Sequence, residues 1–426
     1  MIRKFDNKTK GFFILLVFLF LLFQDYLTKI SSVFSYIDEV LCLYAFYKYL
    51  CRKKTNKKNA IQTFIFICFG LVSNFNSHLI SNSFYILFDI FTYLKSFILF
   101  YLFLYENKEI KKYFLSYLTY FGCIYVFIGF ILSILNLISD IGMSDDMRYG
   151  IRAFNFGFSN CGLFANICVI FYALFSSQFN QKRKIQKYMS LWLLLSTLRT
   201  HAFGVAIATI FIEYTLKNEL FIKKINVIFR KKKNYDTLFN LKYCIPAVIL
   251  MGAVGFANIK VYFFSGNDTP RLILLSYSIK TALEYFPLGA GFATYASPAA
   301  KIWYSPLYYQ YKIDSFWGMS PDDKRFLTDS FFPMLFGELG FIGTFFFFVF
   351  LLVFLINIYK LFINNLENQL SALTIIISLL LSTTASTQLF GPLGAMQFLM
   401  LSMLVETKSS NEIQKISNIN SRLLYD

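Results

Sequence analysis

Residues 331–358 read FFPMLFGELGFIGTFFFFVFLLVFLINI. A run so long and so apolar suits a helix crossing a bilayer, which needs roughly 20 apolar residues at about 1.5 Å of rise each. Gly11–Phe23, Tyr113–Ile138 and Leu241–Phe264 have the same character. Composition agrees: of 426 residues, 57% are hydrophobic, 20% aromatic and only 15% charged. The mean hydropathy of +0.53 lies outside the soluble range. The expected class is an all-α, polytopic membrane protein. No small-residue cleavage site follows Gly11–Phe23 and many apolar runs come after it, so it is read as a first transmembrane helix and not as a signal peptide.

A formal net charge of +17 taken alone would point to nucleic acid, but its placement argues otherwise. Basic residues cluster at Arg3/Lys4/Lys8/Lys10, Arg52/Lys53/Lys54/Lys57/Lys58, Lys108/Lys111/Lys112, Lys182/Arg183/Lys184/Lys187 and Lys223/Lys224/Arg230–Lys233. The intervening loops carry little basic charge, and Asn74–Asn82 carries no lysine or arginine. That alternation follows the positive-inside rule, which sets the basic loops and both termini in the cytoplasm. No soluble face collects the charge, so no nucleic-acid partner is expected.

The rule places spans near 11–28, 32–50, 60–75, 83–105, 113–138, 159–178, 241–264, 331–357, 370–388 and 392–405. The segment 188–216 begins and ends beside basic loops, so it crosses an even number of times, with Arg199-Thr200-His201 at its centre. Two full crossings would need about 40 residues. It is therefore read as two short or re-entrant helices meeting at Arg199 and shielded from lipid. The set totals about 12 hydrophobic helices, some short. Three regions follow: membrane helices with basic loops over 1–264, a large extracytoplasmic loop over 265–330, and C-terminal membrane helices with a short cytoplasmic tail over 331–426.

Connections as long as 265–330 are uncommon unless functional or disordered, and this one is too aromatic for disorder. Asp268-Thr269-Pro270-Arg271 looks like a helix start. The helix would place Leu272, Leu275, Ile279, Leu283 and Phe286 on one face, suited to lie on the outer membrane surface. It would end at Pro287, before Gly289-Ala290-Gly291. Next come Tyr295, Trp303, Tyr304, Tyr308, Tyr309, Tyr311, Phe316 and Trp317. Such rings either stack on sugars or form an interfacial aromatic belt. Tyr295, Trp303, Tyr304 and Trp317 are the substrate-binding candidates. Thr328-Asp329-Ser330 then leads into the span carrying Glu338, about 13 Å deeper at helical rise.

The seven cysteines include no Cys-x-x-Cys and none in the long loop, and the only histidines are His78 and His201. No metal site is expected. No Gly-rich phosphate loop occurs, so neither a nucleotide nor another cofactor is expected.

Several pieces together resemble a family. They are Arg199 in a broken hydrophobic pair, Arg271 opening a surface helix, Pro287-Leu288-Gly289-Ala290-Gly291-Phe292-Ala293-Thr294-Tyr295, and Thr328-Asp329-Ser330 followed by Gly337-Glu338-Leu339-Gly340-Phe341-Ile342-Gly343. This combination resembles the O-antigen ligase/polymerase superfamily, and within it the Wzy-type polymerases of O-antigen and capsular polysaccharide. Ligases of the superfamily usually place a His-Asn pair where this chain has Thr328-Asp329, which favours polymerase. The resemblance implies glycosyl transfer at the outer face of a bacterial cytoplasmic membrane. The donor would be a growing glycan on undecaprenyl pyrophosphate, and the acceptor a hydroxyl of a lipid-linked repeat unit. A chain-length regulator is implied as a partner by analogy.

Breaking a bond from an anomeric carbon to pyrophosphate builds negative charge on the leaving group, which fixed cations stabilise. Arginine binds phosphate oxygens bidentately and stays charged in a poorly hydrated site. Arg199 is the leading candidate, since a charge inside an apolar segment is costly; its other reading is an arginine at a helix turn reaching water. Arg271 would face either the substrate pyrophosphate or phospholipid headgroups. Arg148 and Arg152 would add phosphate contacts, or be solvated loop charges. Asp329 is the expected general base, with a helix N-cap as its alternative. Glu338 is expected as a partner of an arginine. His201 reads as a packed polar residue in preference to a catalyst. Asp89 and Lys95 lie about 240° apart around one helix, so each should pair with another helix or a water-filled cavity. A ligase fits the same topology. A flippase or transporter, the non-enzyme reading, would predict two pseudo-symmetric halves and short outer loops.

Overall fold

The computed structural model describes residues 6–50, 57–80, 82–143, 146–148, 150–180, 182–217, 256, 269–362, 365–384 and 386–405. The span expected near 241–264, the basic run 223–233, Arg3, Lys4, Arg52–Lys54, Cys51, Cys244, Asp268 and the tail after Val405 lie outside the described residues.

Helices dominate, as the apolar runs require. In chain order they are α1 (Asn7–Ile30), α2 (Ile37–Leu50), α3 (Lys57–Ser77), α4 (Ser83–Leu104), α5 (Lys108–Ile138), α6 (Cys161–Ser176), α7 (Lys184–Ser196) and α8 (Thr200–Lys217). After the undescribed stretch come α9 (Pro270–Glu284), α10 (Pro298–Trp303), α11 (Pro306–Gln310), α12 (Phe331–Lys360), α13 (Leu366–Thr383) and α14 (Pro392–Leu404). A two-stranded antiparallel hairpin, β1 (Met147–Arg148) and β2 (Ile151–Arg152), sits between α5 and α6.

Among the described residues, α1, α4, α5, α12 and α13 are long and apolar enough to cross a membrane. Part of α3 and α6, α8 and α14 are shorter apolar helices. The exposed surface supports a membrane setting independently. On α5, Tyr120, Ile124, Phe127, Ile131 and Leu135 form an outward stripe at helical spacing. Water would penalise so long an apolar stripe, and hydrocarbon does not. The segment 32–50 is not one helix: a 3-10 turn, Ser32–Tyr36, precedes α2.

The buried charges have partners on other helices or in the long loop. Lys95 of α4 pairs with Asp38 and Glu39 of α2. Lys111 of α5 donates to the carbonyls of Leu104, Ser402 and Val405, at the C-terminal ends of α4 and α14. A cation there meets the negative ends of two helix dipoles. Asp89 of α4 accepts the amide of Ala293 at 2.8 Å.

Two breaks shape the opposite end of the bundle. α7 stops at Ser196, Leu198 takes a left-handed φ of 51°, and α8 starts at Thr200. The pair expected to meet at Arg199 does break there. The second break is inside α12, where Gly340 has φ 61° and ψ −167°. A break at that point leaves the carbonyls of Gly337 and Glu338 without their helical donors. The amides of Ala290 and Gly291 take them at 2.9 and 2.8 Å.

The segment 288–295 is thereby locked into three helices. Ser73 of α3 donates to the Leu288 carbonyl, and Asn74 makes paired bonds of 2.8 Å with the backbone of Phe292. Asp89 holds Ala293 from α4, and Glu338 of α12 accepts from the amide of Tyr295. α9 then packs along α12 through Ile273, Leu274, Ser278, Thr281 and Ala282. Beyond Gly340, residues 341–360 span about 30 Å, a full bilayer core on their own.

Candidate functional site

The end of the bundle holding both breaks also collects the arginines. α6 begins there with Asn160 as its cap, its side chain accepting from the amides of Gly162 and Leu163. The hairpin is fixed against the α7–α8 break by a 2.9 Å bond from the Phe154 amide to the Ser196 carbonyl. Another 2.9 Å bond, from the Ala153 amide to the Asp146 carbonyl, closes its base.

Asp146 joins two arginines. Arg199 Nη2 lies 3.0 Å from its Oδ2, and Arg148 Nε lies 3.3 Å from its Oδ1. Arg199 is mostly covered, with 22% of its side chain exposed. Its Nε is buried without a hydrogen-bond partner among the described residues, as is Nε2 of the neighbouring His201. A buried N–H with no acceptor is costly unless something else supplies one.

Arg271 stands at the first turn of α9, which starts as its sequence predicts, with Thr269 as cap and Pro270 as first helical residue. Its Nε and Nη2 lie 2.9 and 2.8 Å from Oδ2 of Asp329. Asp329 is not the cap of α12, because Ser330 holds that position. Thr387, in the turn between α13 and α14, donates to the Thr328 carbonyl at 3.0 Å and steadies this strand of loop.

Electrostatics link the two pairs. Burial pushes the Asp329 carboxyl above its usual range, opposed by Arg271 and then by Arg199. Arg199 therefore lies within Coulomb reach of Asp329 as well as bonded to Asp146. Three guanidiniums face two carboxylates in this group. The arrangement suits an anionic group with several acceptor oxygens, held beside a carboxylate able to take a proton.

Arg148 and Arg199 are thus brought together on Asp146, and Arg271 on Asp329, with the Arg199 charge reaching Asp329; the other candidates belong to neither group. Arg152 is directly opposite Met147 in the hairpin, so it points to the face away from Arg148. It approaches Asp140 at 3.6 Å.

Glu338 is a correction. It is fully buried, and it accepts from the Tyr93 hydroxyl at 2.9 Å and from the Tyr295 amide at 3.3 Å. It holds the segment 288–295 through the Tyr295 amide and is not paired with an arginine among the described residues.

Tyr295 and Tyr304 are corrections too. Tyr295 has no exposed surface and donates to the Leu274 carbonyl at 2.9 Å. Tyr304 is 8% exposed and donates to the Met319 carbonyl at 2.8 Å. Neither offers a ring face to a sugar. Trp303 donates Nε1 to the Ala293 carbonyl and stacks on Tyr85. Trp317 alone of the four is largely open, at 70% exposure, with the Arg325 guanidinium 4.8 Å from its ring centre.

Asp146 is the site residue that sequence reasoning missed. The available signal was only that its loop carries carboxylates beside its arginines.

No family model, no curated protein and no solved structure matches this chain.

Proposed function

We propose that this protein is a membrane-embedded glycosyltransferase that joins undecaprenyl-pyrophosphate-linked oligosaccharide repeat units into O-antigen or capsular polysaccharide. The observation that supports this reading best is a pair of arginine–carboxylate groups, Arg148 and Arg199 on Asp146 and Arg271 on Asp329, with the Arg199 charge also acting on Asp329. About 12 helices would cross a bacterial cytoplasmic membrane, with both termini inside and this site at the outer face.

In the reaction, the acceptor hydroxyl oxygen bonds to the anomeric carbon of the donor glycan. The bond from that carbon to the pyrophosphate oxygen breaks, and undecaprenyl pyrophosphate leaves with the electron pair. Asp329 takes the hydroxyl proton. Arg199, Arg148 and Arg271 stabilise charge growing on the leaving group. Asp146 and Asp329 hold the guanidiniums in place before substrate arrives. Trp317 is the ring best placed to meet a sugar.

The test is complementation. Cells lacking the gene should display glycan limited to a single repeat unit, with long polymer restored by wild type and not by a well-expressed Arg199→Ala. Long polymer stranded on its lipid carrier in the deletion strain would mean a ligase instead. Loss of even single repeats from the surface would mean a flippase.

A further inference from the structure

Around its axis α9 presents three faces. One, centred on Leu274, Ser278 and Thr281, is buried against α12. Another carries the exposed Ser276, Lys280 and Glu284. Between them runs an apolar stripe of Leu272, Leu275, Ile279, Leu283 and, just past the helix end, Phe286. At 100° per residue the stripe occupies an arc of about 80°. Leu272 and Leu275 are half-buried, while Ile279, Leu283 and Phe286 are 40%, 61% and 66% exposed.

The stripe is joined to the charged site. Arg271 adjoins its edge and immediately precedes Leu272, and its guanidinium is one of the three at the candidate site. From Arg271 to Glu284 the helix extends about 20 Å. We propose that this stripe is the binding surface for the polyprenyl chain of the donor, with Arg271 holding the pyrophosphate to which that chain is attached. The inference rests on the donor class proposed above and adds where its lipid lies. A pyrophosphate at Arg271 has its polyprenyl chain bonded directly to it. That chain must leave the site over apolar surface, and the stripe begins one residue away. Bulk phospholipid also joins a phosphate to apolar chains, so displacement by undecaprenyl pyrophosphate is what separates the two.

The test uses full-length protein in phospholipid nanodiscs and a photoreactive polyprenyl pyrophosphate without glycan. After irradiation, the label should map to α9 and be displaced by unlabelled undecaprenyl pyrophosphate. The double substitution Ile279→Ser, Leu283→Ser should weaken labelling by about tenfold, as loss of apolar contact predicts. Both side chains are exposed, so the fold should persist, and unchanged thermal unfolding checks this. Labelling of α9 that undecaprenyl pyrophosphate does not displace, or that the double variant keeps, would show that the stripe merely rests on bulk lipid. Displaceable labelling in a wild-type protein that transfers no glycan would keep the lipid site and overturn the polymerase reading.

Discussion

Gly289 and Gly340 meet backbone to backbone. A Cβ on Gly289 would lie 2.4 Å from the Gly340 amide nitrogen, and one on Gly340 would lie 2.5 Å from that of Gly289. Both also have positive φ, 73° and 61°. The long loop reaches the break in α12 only because neither residue carries a side chain.

Gly289→Ala and Gly340→Ala should therefore each destabilise the protein by about 1–3 kcal/mol or more, since backbone atoms cannot yield as a side-chain tip can. Thermal unfolding in detergent reads this directly. Unchanged unfolding in both variants would refute the close contact.

With Asp329 as the proposed base, transfer acquires a pH dependence. Burial raises its carboxyl above the ordinary value of 3.8, and Arg271 and Arg199 oppose the shift. The base form is lost as pH falls through the raised value, so transfer should decline on the acid side at a pH above the usual carboxylate range. Arg199→Ala removes an opposing charge, so its residual activity should show that decline at higher pH still. The measurement is a pH profile in proteoliposomes. An acid limb that survives unchanged in Asp329→Asn would show that another group is the base.

Arg199→Ala should lower transfer by about 10²–10³-fold if its guanidinium meets the leaving group. Arg199→Lys should recover little, because a point charge lacks the planar fork. Single-turnover rates with saturating donor separate this from weakened binding.

Glu338 should behave as a clamp. Glu338→Ala leaves the Tyr93 hydroxyl and the Tyr295 amide without their acceptor, a cost of about 1–3 kcal/mol for each buried donor left unmet. Glu338→Gln keeps an acceptor oxygen and should keep much of the activity. Complete loss of transfer in a normally stable Glu338→Gln would instead make its charge part of the chemistry.

The aromatic residues should separate by exposure. Trp317→Ala should raise KM with little change in stability. Tyr295→Phe and Tyr304→Phe should lose about 0.5–1.5 kcal/mol from a missing hydrogen bond, with KM unchanged. Equal KM effects from all three would contradict this division.

The sequence alone determined the local features. Apolar runs of bilayer length forecast the long helices, and Thr269-Pro270 marked where α9 begins. An arginine inside an apolar segment marked the break at Leu198–Arg199. These features depend on neighbours a few residues away, so periodicity and capping chemistry expose them. Only the tertiary structure decided partnership. Asp329 meets Arg271 across 58 positions, and Arg199 takes Asp146 from a hairpin in another loop. It also turned Tyr295 into a core residue and Glu338 into a clamp, because the segment 288–295 docks into three helices at once, and it buried Tyr304 with its hydroxyl on the Met319 carbonyl. Composition gives an aromatic or a carboxylate several possible roles, and burial with specific hydrogen bonds selects one.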